Sequence, residues 1–427
     1  MFDANLDRWQ TRSLSSLADY ENGFAFSELH WSEQGLPIVR IAQITGSQGI
    51  VDRYPGRLPD NFRVDDKSLI FSWSGTLAVV RWAGGPAWLN QHLFKVVPVE
   101  GVDPSFLFHL LTASVVEMNK RTHGSTMKHI KRSELREFFV FLPTEINEQQ
   151  ALARILDTLD TAIYETEAII AKLKAVKQGL LHDLLTRGVD ANGELRPAQA
   201  DAPHLYKESP LGWIPKEWTA TSLGTVTTWA SGGTPSRAVR SYWTGDVPLL
   251  TPKDMKSFEL DDTSEHITSA AAQGGSRVMP AETIFIVVRG MILAHSFPVV
   301  LSGTQMAFNQ DVKAITPDPQ VNSRFLAHWF VANTDNFLRK VTEATHGTKK
   351  LDLDNLVGMP IGIPPLAEQL SVVSRQAAID RPSASETSYL TQLQALKTGL
   401  MDDLLTGRVR VTPLLAPTEQ PETEASI

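Results

Sequence analysis

Residues 179–189, GLLHDLLTRGV, match residues 399–409, GLMDDLLTGRV, at seven of eleven positions with an offset of 220. A chain that repeats itself at such a distance folds as two copies of one unit, so every other feature has to be read twice. Glu148-Gln149 and Glu368-Gln369 keep the offset. Looser matches run upstream: Trp9 with Trp218, Asn90-Gln91 with Asn309-Gln310, Phe106-Leu107 with Phe325-Leu326, and Gly124-Ser125 with Gly347-Thr348. The drifting offset places insertions in loops. A length of 427 residues leaves room for two to four folding units, each able to bury its own core.

Each copy opens with a mixed region of strands, turns and some helix, and ends in one long helix. LIFSWSGTLAVVRW and TIFIVVRGMILAHSF are β-rich runs interrupted at Gly75 and Gly290, while residues 106–118 and 325–337 carry apolar residues at helical spacing. The expected class is α/β or α+β. Between residues 145 and 186 the pattern changes: Leu152, Leu156, Leu159, Ile163, Ile170, Leu173, Leu180 and Leu184 step by three and four, a coiled-coil seam. Thr144 is the expected N-cap, with Glu145 and Glu148 near the positive end of the dipole and Gly188 as the left-handed stop. The second copy repeats the seam at Val372, Ile379, Leu390, Leu393, Leu400 and Leu404. An antiparallel coiled coil of the two helices would set one globular domain at each end. Lys177 and Lys397 interrupt both seams at equivalent places, to snorkel or to set register. Pro382 predicts a kink or break near Arg381. The expected divisions are 1–144 and 213–365 for the globular domains, 145–187 and 366–407 for the helices, 188–212 for an Ala/Pro/Asp-rich linker and 408–427 for a Pro/Thr/Glu-rich flexible tail.

Recognisable catalytic motifs are missing from the sequence. There is no phosphate-binding G-x-x-x-x-G-K-[ST], no [DN]-P-P-[FYW] of amino-methyltransferases, no H-E-x-x-H and no G-x-S-x-G. Asp261-Asp262 and Asp402-Asp403 read as solvated faces. Zero cysteine excludes disulfides and thiolate zinc, and fits a cytoplasmic location. No secretory leader or membrane-length apolar run is read. Net charge is −8, yet residues 1–145 hold 15 basic against 16 acidic residues and 213–365 hold 13 against 14, so the acidity lies in the helices, linker and tail. Local basic turns stand out on that neutral ground. Lys120, Arg121, Lys128, Lys131, Arg132 and Arg136 lie near one acid, Glu134; within that stretch Gly124 and Ser125 make a glycine-hydroxyl turn, and Gly347, Thr348, Lys349 and Lys350 repeat it. Such turns can offer backbone N–H groups and ammonium to phosphate, or simply cap a helix. Thr234, Ser236 and Arg237 in SGGTPSR suit a nucleic-acid loop or an ordinary turn. Asn90, Gln91, Asn309 and Gln310 could fork onto adenine edges or pin turns.

NGFAFSELHWSEQGLPIVRIAQI (residues 22–44) and GGTPSRAVRSYWTGDVPLLTPKDM (232–255) resemble the two common openings of target-recognition domains in specificity subunits of type I restriction-modification enzymes. GLLHDLLT and GLMDDLLT, with Glu-Gln openings after Pro143 and Pro365, resemble that family's central and distal conserved helices. The resemblance implies two pseudo-repeated target-recognition domains separated by a long antiparallel coiled coil. It implies a subunit that reads double-stranded DNA at a bipartite, asymmetric target without doing chemistry. It also implies partners: methyltransferase subunits that carry S-adenosylmethionine and methylate adenine, and motor-nuclease subunits that use ATP and Mg. This chain would bind no cofactor or metal itself, and no membrane.

Two other readings fit the same pattern. One is a helical-spacer scaffold or adhesin with no DNA role; the other is an enzyme whose active site has no recognisable motif.

Overall fold

The computed structural model describes residues 8–46, 50–121, 130, 132–343 and 347–411, without the side chain of Arg121. Two compact units emerge: Met1–Ala168 with Ser388–Ile427, and Ile169–Thr387. Each combines one globular region with part of both long helices.

In the first unit, Ala18–Asn22, Leu93–Pro98, Leu69–Ser72 and Ala78–Arg81 form an antiparallel sheet in that spatial order. A second four-stranded sheet sets Leu36–Val39 parallel to Ala87–Leu89, with Arg53–Tyr54 and Arg63–Val64 outside them. Leu69, Phe71, Phe94 and Val96 pack with Phe106, Leu107, Leu110 and Leu111 of the helix Pro104–Arg121. Burial of each such side chain stabilises by about 1.5–3 kcal/mol. The second unit repeats the plan. Thr227–Ser231, Val312–Pro317, Ile284–Val287 and Val299–Ser302 run in order, with Glu259–Leu260 added at the edge. Val247–Leu250 lies parallel to Met306–Phe308. The strands are mostly antiparallel, which makes each globular region α+β. The helix expected over residues 325–337 divides at Asn333 into Ser323–Ala332 and Thr334–Leu338.

The long helices are Ile146–Thr186 and Leu366–Leu405. Leu152, Leu156 and Leu184 on the first and Val372, Leu393 and Leu404 on the second are buried, as the seam requires. The lysines in the seam are register pins. Lys177 pairs with Asp380 at 2.5 Å in the second unit, and Lys397 pairs with Asp160 in the first. Both pairings run antiparallel. Three expectations are corrected. No break interrupts the helix at Pro382, because Pro382 and Ala378, whose carbonyl loses its partner, are both exposed to water. Thr144 does not cap: its hydroxyl donates to the Arg8 carbonyl at 3.0 Å, and the first turn bonds to the Glu145 carbonyl. Gly188 does take the left-handed conformation, at φ +65°.

The third correction concerns residues 188–212, which are folded rather than a loose linker. Tyr206–Ser209 and Gly212–Pro215 form a hairpin, and Arg196 is 7% exposed. Its guanidinium forks onto Glu368, which also accepts from Trp218 Nε1 at 3.0 Å and from the Val189 N–H at 2.9 Å. The first unit repeats this clamp. Glu148 accepts from Trp9 Nε1 at 3.2 Å and from Arg410 at 3.0 and 3.3 Å. The neighbouring amides are equally matched: Gln149 donates to the Gly101 and Pro143 carbonyls, and Gln369 to those of Gln320 and Pro364. The repeated Glu-Gln pair therefore ties each helix start to its domain, and the residues after the opposite helix close the tie.

His109 and His328 hold equivalent places on the domain helices, and both are buried. Burial lowers the His328 pKa to about 4; Asp380 and Glu259 oppose the shift, while Lys177 and Arg324 add to it. The ring stacks on Phe258 with centroids 4.5 Å apart. Below the unfolded value of about 6.5 the unfolded chain takes up a proton that the folded one refuses. Stability is thus expected to fall as pH drops from about 6.5 towards 4, by up to roughly 3 kcal/mol, and to be insensitive to this group above that window. Urea melts of His328→Phe against the parent should show the slope removed; an unchanged slope would assign it to other groups.

Candidate nucleic-acid interface

The sequence motifs of the second domain meet at one end of its five-stranded sheet. Strand Thr227–Ser231 runs into Gly232 and Gly233, which pass so close to neighbouring backbone that a Cβ would lie 2.1 Å from the Phe308 carbonyl oxygen and 2.3 Å from that of Gly275. Only glycine fits both places. The loop is then held to the turn at 309–311. Gly233 N–H donates to the Phe308 carbonyl at 2.9 Å, and Thr234 Oγ1 donates to Gln310 Oε1 at 2.8 Å. On its other side that turn accepts from Val288 N–H through the Asp311 carbonyl, at 2.9 Å. Val288 in turn accepts from Leu351 N–H, and Gly290 N–H donates to the Lys349 carbonyl, each at 2.9 Å. Loops 231–237, 288–290, 309–311 and 347–351 therefore share one rim.

Charges on this rim are partly spent. Arg237 forks onto Glu265 with two bonds of 2.7 Å, holding that carboxyl below its usual range, and its guanidinium lies 3.7 Å over the Trp243 ring. The Ser236 carbonyl accepts from Trp243 Nε1 at 3.2 Å. Lys349 meets Glu343 at 2.7 Å and Lys350 meets Asp352 at 3.0 Å, on the short strand pair Thr342–Glu343 and Lys349–Lys350. The Lys349 bond holds Glu343 below the ordinary carboxylate range. Lys313 donates to Ser231. Gly347 is left-handed at φ +76°, and Thr348 beside it is half-buried. Arg289 differs from these cations. It is exposed, follows strand Ile284–Val287, and among the described residues has no carboxylate partner. In the sequence Arg289 ends an apolar run and belongs to no basic cluster; the one signal it carries is a charge directly before Gly290.

The first domain builds the same rim. A Cβ on Gly23 would lie 2.3 Å from the Asn90 carbonyl oxygen, and Gln91 N–H donates to Phe24. Ile130 N–H donates to Trp73 at 2.9 Å, as Leu351 does to Val288. The ring of Trp73 lies 6.0 Å from that of His92. Lys120 is exposed and 3.6 Å from Glu117. Gly124, Ser125, Lys128, Lys131 and the Arg121 side chain lie outside the described residues. Asn90 and Asn309 are buried, and each Oδ1 accepts from the backbone two residues on, at 3.3 and 3.1 Å. These two amides pin turns, while Gln91 is half-buried and Gln310 is exposed.

Among the described residues one set of side chains has the spacing of metal ligands, His109, Asp157 and Asp160. Its carboxylates already face cations: Arg81 stands 2.7 Å from Asp157, and Lys397 pairs with Asp160. No helix among the described residues is long and apolar enough to cross a membrane.

The "Type I restriction modification DNA specificity domain" family matches residues 7–175 and 215–395. The chain is 27% identical over 227 residues to the type I restriction enzyme EcoBI specificity subunit of Escherichia coli, covering 52% of this chain and 47% of that one. It is 29% identical over 208 residues to the EcoR124I/EcoR124II specificity subunit of the same organism, covering 48% and 51%. The chain thus spans about half the length of these relatives. In fold it is similar to the type I restriction-modification S subunit from M. genitalium, with a TM-score of 0.60, 15% identity, and coverage of 95% and 98%. Two matched copies filling most of the sequence, on a fold that repeats one plan, make this chain a member of the type I restriction-modification DNA specificity family.

Proposed function

We propose that the chain is the DNA-reading subunit of a type I restriction-modification complex, acting in the cytoplasm. Each globular domain reads one half of a split, asymmetric target in duplex DNA. The helix pair docks methyltransferase subunits that use S-adenosylmethionine to methylate adenine; motor-nuclease subunits supply ATP- and Mg-dependent restriction. This chain performs no chemical step. One observation carries the reading: the loops after Ala18–Asn22 and Leu69–Ser72 in the first unit, and after Thr227–Ser231 and Ile284–Val287 in the second, converge with the Asn-Gln turn on one sheet end. A rim of glycine, hydroxyl, amide and basic groups suits the phosphate and base edges of one half-site. A scaffold or adhesin needs no such convergence.

Arg289, Lys349 and Lys350 test it. With the methyltransferase partner present, Arg289→Ala and the Lys349→Ala/Lys350→Ala pair should weaken binding similarly across duplex sequences. Each lost phosphate contact should lower the slope of log K against log salt by about one. Anisotropy titrations over a salt series give both quantities. Unchanged slopes in all variants would leave these cations as hairpin supports and remove the rim from the interface.

A further inference from the structure

The two domains carry different side chains at one equivalent place on their rims. Strand register fixes the equivalence: Ser72 pairs with Leu93 as Val287 pairs with Val312, and Leu93 and Val312 each stand three residues after the asparagine of the Asn-Gln turn. Counting on from the strand ends, Ser74, Gly75 and Thr76 of the first domain match Arg289, Gly290 and Met291 of the second. Both glycines have positive φ, +68° and +141°, and both Thr76 and Met291 are exposed. The backbone around Met291 is tied down on both sides. Gly290 N–H donates to the Lys349 carbonyl at 2.9 Å, and Arg289 forms an antiparallel bridge with Lys350. Met291 then opens the short turn Met291–Ala294, in which Leu293 N–H donates to the Gly290 carbonyl at 3.2 Å. Leu293 lies in the core and Ile292 packs against it, whereas Met291 is 61% exposed. A single apolar side chain in water is ordinary on a protein surface, so exposure alone assigns it nothing. Its position does, because in loops 231–237, 288–290 and 309–311 every exposed side chain is polar.

We propose that Met291 is a specificity-determining residue for the half-site its domain reads, packing on the C5-methyl group of a thymine. The proposal rests on the DNA reading above and names one contact within it. A thioether is only a weak acceptor and carries no charge, so Met291 adds nothing to the phosphate contacts that position a protein on a duplex. Among the groups that base pairs display in the major groove, the thymine methyl is the apolar one, and apolar side chains meet it there. Arg289, two residues earlier, serves phosphate while Met291 serves the base. Thr76 gives the first domain a hydroxyl at the same place, a group that bonds to base edges of either kind. One scaffold thus presents different chemistry to the two halves, as an asymmetric target requires.

The test uses the full chain with its methyltransferase partner and duplexes carrying the motif read by methylome sequencing. Each thymine in turn is replaced by deoxyuridine, which lacks only the C5-methyl group, and affinity is measured by anisotropy over a salt series. The parent should lose about fourfold at a thymine of one half-site, the change expected from one buried methyl-sized group. Met291→Thr, which installs the first domain's side chain, should bind the thymine and uracil duplexes alike at that position. Its salt slope should match the parent's, because no phosphate contact is lost. Met291→Leu should keep the discrimination. If no thymine replacement weakens the parent, or if Met291→Thr still separates thymine from uracil as the parent does, the proposal is overturned while the DNA reading stands. Failure of the parent to bind the unmodified duplex at any salt concentration would overturn both.

Discussion

Glu368→Ala is expected to destabilise the second unit by about 3–5 kcal/mol, the cost of leaving a buried cation without its partner. Glu368 is 9% exposed and receives Arg196, the Trp218 indole and the Val189 N–H. Its removal strands a guanidinium whose other carboxylate, Glu217, stands 3.6 Å away and is 55% exposed. The Val189 N–H, in a residue 1% exposed, loses its acceptor as well. Glu368→Gln keeps the volume and one acceptor oxygen and should cost less. Arg196→Ala combined with Glu368→Ala should cost less than the sum of the singles, because the stranded charge is then gone. The equivalent Glu148→Ala in the first unit should be milder, since the Arg410 side chain is 22% exposed and can regain water. Exchange of the core amides of Ile284–Val287 in urea gives the free energy for the second unit by itself. A loss below about 1 kcal/mol, the size of an ordinary single hydrogen bond, would mean that the clamp does not hold helix to domain.

What was legible in the sequence followed from local or repeated pattern. The seam leucines, the ends of both long helices to within two residues, the left-handed Gly188 and the special places of Lys177 and Lys397 all follow from spacing along one helix or from the offset of 220. What was not legible depends on distant residues. Trp9, Glu148, Trp218 and Glu368 were paired by the repeat, but Arg196 and Arg410 lie 172 and 262 residues from the carboxylates they meet. They are also 214 apart rather than 220, so the repeat did not single them out. Residues 188–212 looked like a linker because composition reports the polar surface of a fold and not the one buried arginine that anchors it. Thr144 has the right chemistry for a cap, yet its hydroxyl goes to the carbonyl of Arg8, 136 residues away. Arg289 sits in an apolar run, and only the sheet topology sets it beside the glycine-rich and basic loops.

Exchange of one globular domain is expected to have the largest functional effect. Each unit has its own core, and each rim is built from residues of one domain only. The clamp and seam residues that hold a domain to the helices recur in both copies, so a relative's domain joined at the same boundary keeps its support. Replacing residues 1–145 should therefore change every recognised base of one half-site and none of the other. Methylome sequencing of a host that supplies the methyltransferase partner reads both halves at once, for the parent and for the hybrid. The account predicts a split methylated motif in which one half changes and the other is retained. A change in both halves, or a methylated motif that is continuous, would contradict it.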